Sequence, residues 1–509
     1  MIKNASILRE LTITAVVAVF SFLLLSLTPN PFPLTSDECF SLYHAQFPVP
    51  TIWKELSRGN NPPLFETLLH FWIQLFGNSE SAVRTLPTIL VAMSAALIWR
   101  TSRKLYSAHL PSILAWLFFI GSNTVLLFAH EIRAYGLLLL LTVIVQSLWL
   151  IPENRKSTIH KLAWTISSAA LVYTHFFGFW VLLVQGVFDL IRYVKHRNSR
   201  SFISDFAPWL LLLLIYLPYL RILIVRFLDS ASSGTWMDPA PWEGPYLTLW
   251  KFTNVPIAVF PTLLLLILSV NSLLKNRTIE TVNPTKSQPY LIAAFAVPFF
   301  CMWLISLPSP LCIPMFNERY SSFVIPSLAI VLAGQVNLTK TKPLVSLKNL
   351  GILSLWLLLL IGQYSFRTIS VNQNIDVKSI ATSMKKSTSA AIILEPDHAA
   401  FQWLYYTNPE KFKQWRSDSI YHHMAQQLIQ QHVYILKTEN SLDSFGLAST
   451  DSLYYVHLDN RKTKHTLMIE NLIRKKFTIN TDFISIPNAA PIRFKSKTTE
   501  FWKIQNNEG

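Results

Sequence analysis

Residues 34–65 read LTSDECFSLYHAQFPVPTIWKELSRGNNPPLF and follow directly on the first apolar segment of the chain. The stretch holds an adjacent acidic pair, Asp37 and Glu38, and it ends in a stiff corner, Asn60-Asn61-Pro62-Pro63. A carboxylate beside a membrane face is costly unless it is solvated, paired or used in chemistry. The alternative to a functional pair is two solvated loop carboxylates, and the rest of the chain bears on that choice.

The composition of the chain is that of a polytopic membrane protein. Of its 509 residues, 51% are hydrophobic and only 14% are charged, with a mean hydropathy of +0.34. Soluble globular domains are less apolar than this. The net charge of +16 does not indicate nucleic-acid binding, because Lys and Arg cluster in short loops between apolar runs, as they do on the cytoplasmic side of membrane proteins.

Eleven apolar stretches are predicted to span the membrane as helices, each of which takes about 20 residues. Lys3 and Arg9 precede the first stretch and no small-residue cleavage site follows it, so it is interpreted as an uncleaved first helix and not as a signal peptide. The stretches are 11–28, 82–99, 109–128, 131–150, 161–174, 176–191, 205–228, 256–274, 289–307, 320–336 and 349–366.

The distribution of basic residues sets the predicted orientation. With the N-terminus in the cytoplasm, the cytoplasmic loops carry 18 Lys and Arg and the opposite short connections carry 5, in agreement with the positive-inside rule. The short apolar segment 63–77 is therefore predicted as a helix at the membrane interface, since a further span there would reverse every later loop. Eleven spans place the C-terminus outside.

The character of the sequence changes at about residue 367, after which no stretch of spanning length occurs. Short β-like runs alternate with helical patterns, which predicts a small α/β domain. We therefore predict an α-helical transmembrane domain over 1–366, with its first outer loop at 29–81, and an extracytoplasmic α/β domain over 367–509. The β-like runs are 390–394, 433–436, 452–458, 482–487 and 491–496, and the helical patterns are 422–431 and 465–476.

Ionisable and aromatic side chains collect at the outer ends of the predicted spans. Arg133 and Arg319 each lie at the start of a span that runs inward, with a glutamate before and a tyrosine after. A helix N-terminus favours anions and an arginine fork binds phosphate oxygens, so we predict a site for a lipid-linked phosphate here. The alternative is that both arginines contact ordinary headgroups or pair with Glu131 and Glu318. The other members of this outer set are Asp37, Glu38, Arg58, His130, Tyr135, His175 and Tyr320.

No established metal-ligand spacing occurs in the sequence. His130 and Glu131 lack the HExxH pattern of zinc proteases, so a divalent ion bound by these two, or by Asp37 with His175, stays open. The sequence also has no Ser-His-Asp elbow, no phosphate-binding glycine loop and no nucleic-acid module. These absences exclude the corresponding function classes.

The order of these motifs resembles that of the bacterial family 39-type membrane glycosyltransferases of the GT-C fold. That family includes protein O-mannosyltransferases and lipid A aminoarabinose transferases. The resemblance extends over about residues 10–340. It is carried by the acidic pair after one span, by NNPPLF at 60–65, by FGNSESAVRTLP at 76–87, by HEIRAY at 130–135 and by Glu-Arg-Tyr at 318–320.

This resemblance implies inverting transfer of a sugar from a polyprenyl-phosphate donor to an acceptor hydroxyl of a lipid, a glycan or a protein. The reaction would occur at the outer face of the bacterial inner membrane. It implies Asp37 as the catalytic base and Glu38 as its neighbour for acceptor or metal contacts. The donor-phosphate set is Arg58, Arg133, Arg319, Tyr135 and Tyr320, and the supporting set is His130, Glu131, His175 and Glu318.

Other functions remain as alternatives. A transporter, flippase or binding protein for lipid-linked sugars would not need the acidic pair, and a transporter would carry ionisable residues inside its spans, whose centres are almost without them. An O-antigen-ligase-like enzyme would have its large loop late in the chain. An inactive relative would fit Asn60-Asn61, which stand where relatives often carry His, Lys or a Glu-Lys pair.

Overall fold

The structure is a computed structural model of the whole chain. It describes residues 2–28, 33–59, 61–106, 108–151, 157–195, 202–233, 237–274, 284–309, 312–335, 351–352, 354–359, 361–362, 378–382, 391–395, 397, 399–408, 420–436, 444–447, 452–457, 467–469, 471–473, 477–480 and 502–506. The chain divides into two compact units, the first over Met1–Asn30 and Trp53–Phe366 and the second over Pro31–Ile52 and Arg367–Gly509.

Helices make up the first unit and parts of the second. In chain order they are α1 (Ile2–Ser26), α2 (Ser36–His44), α3 (Val49–Leu56), α4 (Leu64–Phe76), α5 (Glu80–Tyr106), α6 (His109–Gly121), α7 (Asn123–Phe128), α8 (Tyr135–Leu150), α9 (Thr158–Thr174), α10 (Gly178–Lys195), α11 (Phe202–Ser233), α12 (Gly244–Thr253), α13 (Val259–Leu274), α14 (Pro284–Ser306), α15 (Ile325–Ala333), α16 (Ala399–Thr407) and α17 (Ile420–Gln430). Short 3₁₀ turns at Pro256–Ala258 and Ser322–Val324 lead into α13 and α15.

Every apolar stretch predicted as a span, from 11–28 to 320–336, coincides with helix. Within the described residues, the helices long and apolar enough to cross a membrane are Leu8–Ser26, Glu80–Tyr106, Phe206–Asp229 and Ser287–Ser306, with the bent pair Gly244–Thr253 and Pro256–Asn271 as a fifth. Shorter apolar helices accompany them, so the chain is a helical multi-pass membrane protein. The number of eleven spans stays a prediction, as does the interfacial place of α4.

One predicted span is broken in the structure, and the side chain that contacts this break also lies at a sharp bend between two other helices. The stretch 109–128 divides at Ser122 into α6 and α7, and the axis turns by 104° between α12 and the helix that follows it. Asn254 lies at this turn with a φ of 72°, a conformation that Asn tolerates better than most residues. Its amide nitrogen donates to the carbonyls of Gly121 and Leu359, and its amide oxygen accepts from the Asn123 N–H at 2.8 Å.

We expect Asn254→Ala to lower the stability of the first unit by roughly 2–4 kcal/mol. The change leaves three buried backbone groups without their partner, and alanine tolerates a positive φ less well than asparagine does. Asn254→Gly is the matched variant, because it relieves the backbone but still loses the hydrogen bonds. Apparent melting temperatures in detergent should fall for both variants. If the melting temperature of Asn254→Gly equals that of the wild type, the hydrogen bonds of Asn254 contribute nothing to stability.

The second unit contains a mixed sheet of β1 (Ala391–Glu395), β2 (Val433–Tyr434), β3 (Ser452–His457), β4 (Phe477–Asn480) and β5 (Trp502–Asn506). The strand order is β2-β1-β3-β5-β4, with β1 parallel to β2 and β3, and β5 antiparallel to β3 and β4. Ile393, Leu436, Tyr455, Ile469 and Ile473 are buried in one core beside this sheet. The described residues after 367 therefore include both strands and helices, and a domain over 367–509 stays a prediction.

The individual predictions for this region have mixed outcomes. The strands predicted at 390–394, 433–436 and 452–458 and the helix at 422–431 are confirmed. The helix predicted at 465–476 is helical at 467–469 and 471–473. The strands predicted at 482–487 and 491–496 lie outside the described residues, and the sequence reasoning missed β4 and β5. That the unit lies outside the cell membrane stays a prediction.

The first outer loop differs from the sequence-based division of domains. The prediction assigned all of 29–81 to the transmembrane domain, whereas Pro31–Ile52 group with the C-terminal residues. The physical cause is the docking of α2 on α16. The ring of Phe401 contacts those of Phe40 and Tyr43 at 5.5 and 5.1 Å, and Gln402 Nε2 donates to the Leu34 carbonyl at 2.6 Å.

Candidate functional site

The turn between α7 and α8, residues 129–134, is held in place by the start of α5. Arg84 Nη1 donates to the His130 carbonyl at 2.9 Å, and Thr88 Oγ1 donates to the Ala129 carbonyl at 2.7 Å. A second arm of Arg84 contacts Glu80 Oε1 at 3.2 Å. Because these contacts go to backbone atoms, they fix the path of the turn and leave its side chains to face elsewhere.

Both predicted phosphate-binding arginines of the outer spans belong to one cluster. Arg319 Nη1 lies 3.5 Å from Glu131 Oε1, with the glutamate side chain buried and the arginine about a third exposed. Arg133 Nη2 donates to Asn61 Oδ1 at 3.3 Å. Arg133, Arg319 and Glu131 all act electrostatically on Tyr135, so these two guanidinium groups and one carboxylate together carry a net positive charge. Such a group attracts a phosphate more strongly than a neutral one does.

Aromatic rings enclose the other side of this group. The His175 ring lies 5.9 Å from that of Tyr135 and 5.6 Å from that of Tyr320, and Phe177 stacks on Tyr320 at 5.0 Å. Arg133, Arg319, Glu131 and Tyr320 all lie close enough to interact electrostatically with Tyr135. We name the residues Glu131, Arg133, Tyr135, His175, Arg319 and Tyr320 the arginine–tyrosine cluster.

The turn before α15 connects this cluster to the bent segment. Glu318 Oε2 lies 2.8 Å from Lys251 Nζ on α12. Glu318 therefore pairs with a lysine, while the neighbouring Arg319 pairs with Glu131. Asn317 Oδ1 accepts from the Tyr320 N–H at 2.8 Å, which orients the backbone of this turn. The structure therefore brings six of the predicted residues together, while Glu318 and His130 adjoin them in sequence and contact Lys251 and Arg84.

The histidine of the cluster is held neutral. Desolvation by the surrounding rings, together with the positive charge of Arg133, lowers the pKa of His175 to about 3. Its Nδ1 accepts from the Phe177 N–H at 3.3 Å, an orientation that needs an unprotonated Nδ1. His175 therefore fits a packing and orienting role better than that of a cationic phosphate ligand.

We expect the apparent melting temperature to fall between pH 6.5 and pH 4 because of His175. Its folded pKa lies below its unfolded value of about 6.5, so the stability it contributes is present above that value and is lost as the pH falls towards 3. The slope is at most about 1.4 kcal/mol per pH unit. His175→Phe, which retains a ring but cannot titrate, should give a flatter profile in detergent, and an unchanged profile would contradict the assignment.

The structure gives Arg58 a different partner from the one predicted. Arg58 Nη1 contacts both carboxylate oxygens of Glu55 at 3.2 and 3.0 Å, with 63% of the arginine side chain exposed and 4% of the glutamate. The pair lies one turn apart at the end of α3. The structure does not bring Arg58 into the arginine–tyrosine cluster through any of these contacts, and its phosphate role stays a prediction.

The acidic pair of the first loop lies in the second unit, in the first turn of α2. Thr35 caps this helix, and Glu38 Oε2 accepts from the Thr35 N–H at 2.7 Å to complete a capping box. Glu38 is buried and Asp37 is exposed. Glu38 thus has a structural task that fixes the helix start, while the exposed Asp37 carboxylate suits proton transfer. The roles of both residues in catalysis stay predictions.

Metal binding finds no preformed site in the described part of the chain, where no three His, Cys, Asp or Glu side chains come together closely enough to hold an ion. The predicted pair His130 and Glu131 is adjacent in sequence, but His130 uses its carbonyl to accept from Arg84, and the Glu131 carboxylate pairs with Arg319. A metal requirement is therefore left to experiment.

Sequence reasoning assigned no site role to three residues that contact the cluster or the turns beside it. Arg84 and Lys251 are single basic residues beside or within apolar segments, which is a usable signal for a paired or functional charge. Asn61 gave no such signal, because it was noted only as a position where related sequences often carry other residues. In the structure it accepts a hydrogen bond from Arg133.

Solved structures of two membrane glycosyltransferases are similar to this chain. ArnT from Cupriavidus metallidurans in the apo state gives a TM-score of 0.55 at 11% identity, over 99% of this chain and 98% of that chain. The same protein bound to undecaprenyl phosphate gives 0.52 at 12% identity, over 99% of both chains. The oligosaccharyltransferase AglB from Archaeoglobus fulgidus, in complex with an inhibitory peptide and a dolichol-phosphate, gives 0.52 at 10% identity over 88% and 69%.

These similarities concern the fold. No protein-family model matches the chain, and no curated protein matches it. ArnT and AglB are both GT-C glycosyltransferases, so the resemblance that the motifs predicted is confirmed at the level of the fold. Because the identities are near 11%, the activity has to be argued from the residues of this chain.

Proposed function

We propose that the protein is an inverting glycosyltransferase that moves a sugar from a polyprenyl-phosphate donor to an acceptor hydroxyl. The single observation that carries this proposal is the arginine–tyrosine cluster, in which Arg133 and Arg319 lie together at helix starts within a GT-C fold. The undecaprenyl phosphate of ArnT and the dolichol-phosphate of AglB support a lipid phosphate as the natural ligand.

The cluster suits the departure of a lipid phosphate. When the bond between the sugar and the phosphate breaks, negative charge grows on the phosphate oxygens, and fixed positive charge nearby lowers the barrier. Arg319 is partly exposed and able to exchange Glu131 for a phosphate, whereas Arg133 is positioned by the neutral Asn61 amide. Tyr135 and Tyr320 would supply further hydrogen bonds from their hydroxyls.

The acceptor needs a base, and Asp37 is the candidate. An exposed carboxylate can accept a proton from a hydroxyl held within hydrogen-bond reach. The capping box of Glu38 fixes the first turn of α2, which positions Asp37 one residue earlier. Glu38 is therefore proposed as a positioning residue that also lies next to the acceptor. Inversion follows if the deprotonated hydroxyl attacks opposite the departing phosphate.

The membrane setting follows the charge distribution. Basic residues are concentrated in the loops on one side of the predicted spans, which supports a cytoplasmic N-terminus in a bacterial inner membrane and a C-terminal unit outside. The donor would then be used at the outer face. Protease treatment of intact spheroplasts checks this arrangement, since the C-terminal unit should be cleaved from outside while the N-terminus stays protected.

The phosphate site is tested by binding of undecaprenyl phosphate to the purified full-length protein in nanodiscs, with undecaprenol as the matched lipid without phosphate. We expect saturable binding and a higher melting temperature with undecaprenyl phosphate only. Equal effects of the two lipids would show that the chain recognises the tail and would contradict the proposed donor class.

A further inference from the structure

A second cluster of the first unit lies between α3, α4, α9 and α11. Its rings are Trp53, Tyr173, Tyr216 and Tyr219, with Trp53 and Tyr173 5.3 Å apart and Tyr173 5.1 and 5.4 Å from the two tyrosines of α11. Glu66, in the first turn of α4, is buried with 2% exposure. We name these five residues the tyrosine cluster.

Two hydroxyls of this cluster are buried without a use in the fold. Tyr216 and Tyr219 are each 3% exposed, and among the residues that the structure describes neither hydroxyl has a hydrogen-bond partner. Buried hydroxyls in folded proteins are nearly always paired, since leaving one unpaired costs about 1–3 kcal/mol. Tyr173 follows this rule, because its hydroxyl donates to the Ile215 carbonyl at 3.0 Å.

Charges of both signs lie around these hydroxyls. Glu66 and Arg226 both lie close enough to interact electrostatically with Tyr219, and Arg226 Nη1 also contacts Asp229 Oδ2 at 3.4 Å. Because the Glu66 carboxylate lies close to Tyr219, a bare phosphate is not the natural occupant. Aromatic faces with a few converging polar groups are typical of sites for small uncharged molecules.

The same chain segments build both clusters. Asn61, which contacts Arg133, lies between Trp53 and Glu66, and His175 of the arginine–tyrosine cluster lies two residues after Tyr173. Trp53 and Tyr173 are only half-buried, so a ligand can approach the tyrosine cluster from their side. These shared chain segments support a ligand with a phosphate at one end and a second group beside it.

We propose that the tyrosine cluster binds the uncharged sugar ring of the lipid-linked donor. The ring would stack on Trp53 and Tyr173, and its hydroxyls would pair with those of Tyr216 and Tyr219 and with the Glu66 carboxylate. This inference rests on the proposed function, because it assigns the sugar end of the same donor. It accounts for the two buried hydroxyls, which packing alone leaves unexplained.

The test measures the binding of two kinds of lipid to the purified full-length protein in nanodiscs. One is undecaprenyl phosphate, and the other is a panel of undecaprenyl-phosphate-linked neutral hexoses to which an amino sugar is added. We expect the wild type to bind at least one hexose-linked lipid more tightly than the sugar-free lipid. Tyr219→Phe should weaken that binding about five-fold and Glu66→Gln about ten-fold, as expected for lost neutral and charge-assisted hydrogen bonds. Neither variant should change the affinity for undecaprenyl phosphate.

Tyr106→Phe is the matched control, since it also removes a buried tyrosine hydroxyl, but one that donates to the Ile330 carbonyl at 2.9 Å. It should lower the melting temperature and leave both affinities unchanged, whereas Tyr219→Phe should leave the melting temperature of the lipid-free protein unchanged. Variants that weaken the binding of both lipids equally, or of neither, would overturn the inference. A wild type that binds no hexose-linked lipid more tightly than undecaprenyl phosphate, or that prefers the amino sugar, would also overturn it. A wild type that does not bind undecaprenyl phosphate would contradict the proposed function instead.

Discussion

Asp37→Asn is expected to lower the rate of glycosyl transfer by about 10²–10⁴-fold, the usual contribution of a general base. The asparagine keeps the shape of the side chain but cannot accept the proton of the acceptor hydroxyl. Because Asp37 is exposed and its neighbour Glu38 completes the helix cap, the change should cost less than about 1 kcal/mol of stability, the usual interaction of a carboxylate with a helix N-terminus. Initial rates and melting temperatures in detergent measure both effects.

The matched control is Asp238→Asn, which removes another exposed carboxylate from a connection that is predicted to lie outside. It should leave the rate unchanged. If Asp37→Asn transfers sugar at the wild-type rate, Asp37 is not the base, and the acidic pair has only its structural role in α2.

Arg319→Ala is expected to weaken the apparent affinity for the donor by about 10–100-fold and to leave that for the acceptor nearly unchanged. Hydrogen bonds to charged groups contribute about 1.5–3 kcal/mol each, and a tenfold change corresponds to about 1.4 kcal/mol. Arg319 is the partly exposed arginine of its cluster, in a pair with Glu131 in which the two atoms lie 3.5 Å apart. Donor and acceptor titrations of initial rates separate the two affinities.

The alanine variant also removes a charged partner of a buried carboxylate, which by itself is destabilising. The double variant Arg319→Ala with Glu131→Gln separates the two effects. It should regain stability but not donor affinity, because the carboxylate is neutralised while the phosphate ligand stays absent. An unchanged donor affinity in the single variant would remove Arg319 from the site, and a recovery of affinity in the double variant would show that its effect was only structural.

The helices of the membrane part follow directly from local sequence. Apolar runs of near-spanning length, separated by basic loops, are a strong signal, and the turn around His175 lies where it was predicted, between Thr174 and Gly178. Three strands of the second unit were likewise evident from short β-like runs. These features depend on interactions between residues that are close in sequence, and local sequence patterns predict such interactions.

The contacts that build the site depend on residues far apart in sequence. The docking of α2 joins Leu34 to Tyr406, 372 positions later, and Asn61 meets Arg133 across 72 positions. Asn254 contacts the break between α6 and α7, which lies inside a stretch that its apolar pattern predicted as continuous. No periodicity or composition encodes these pairings, because each depends on where two separate segments pack.

The tyrosine cluster shows the same limit. Its members come from four helices, and each alone is an ordinary aromatic or acidic residue near a membrane face. Only the structure reveals that the hydroxyls of Tyr216 and Tyr219 are buried and unpaired within its described part. The sequence therefore suggested a phosphate ligand, through its arginines, but gave no sign of the proposed sugar site.

The most direct test of the account is a transfer assay on purified protein with radiolabelled polyprenyl-phosphate sugars and host membrane extract, comparing the wild type with Asp37→Asn. We predict that label moves to a new product with the wild type only, and the product would identify the acceptor. If no donor is consumed, yet one binds saturably to both proteins, the chain is a transporter or binding protein for lipid-linked sugars, and the proposed enzyme activity is wrong.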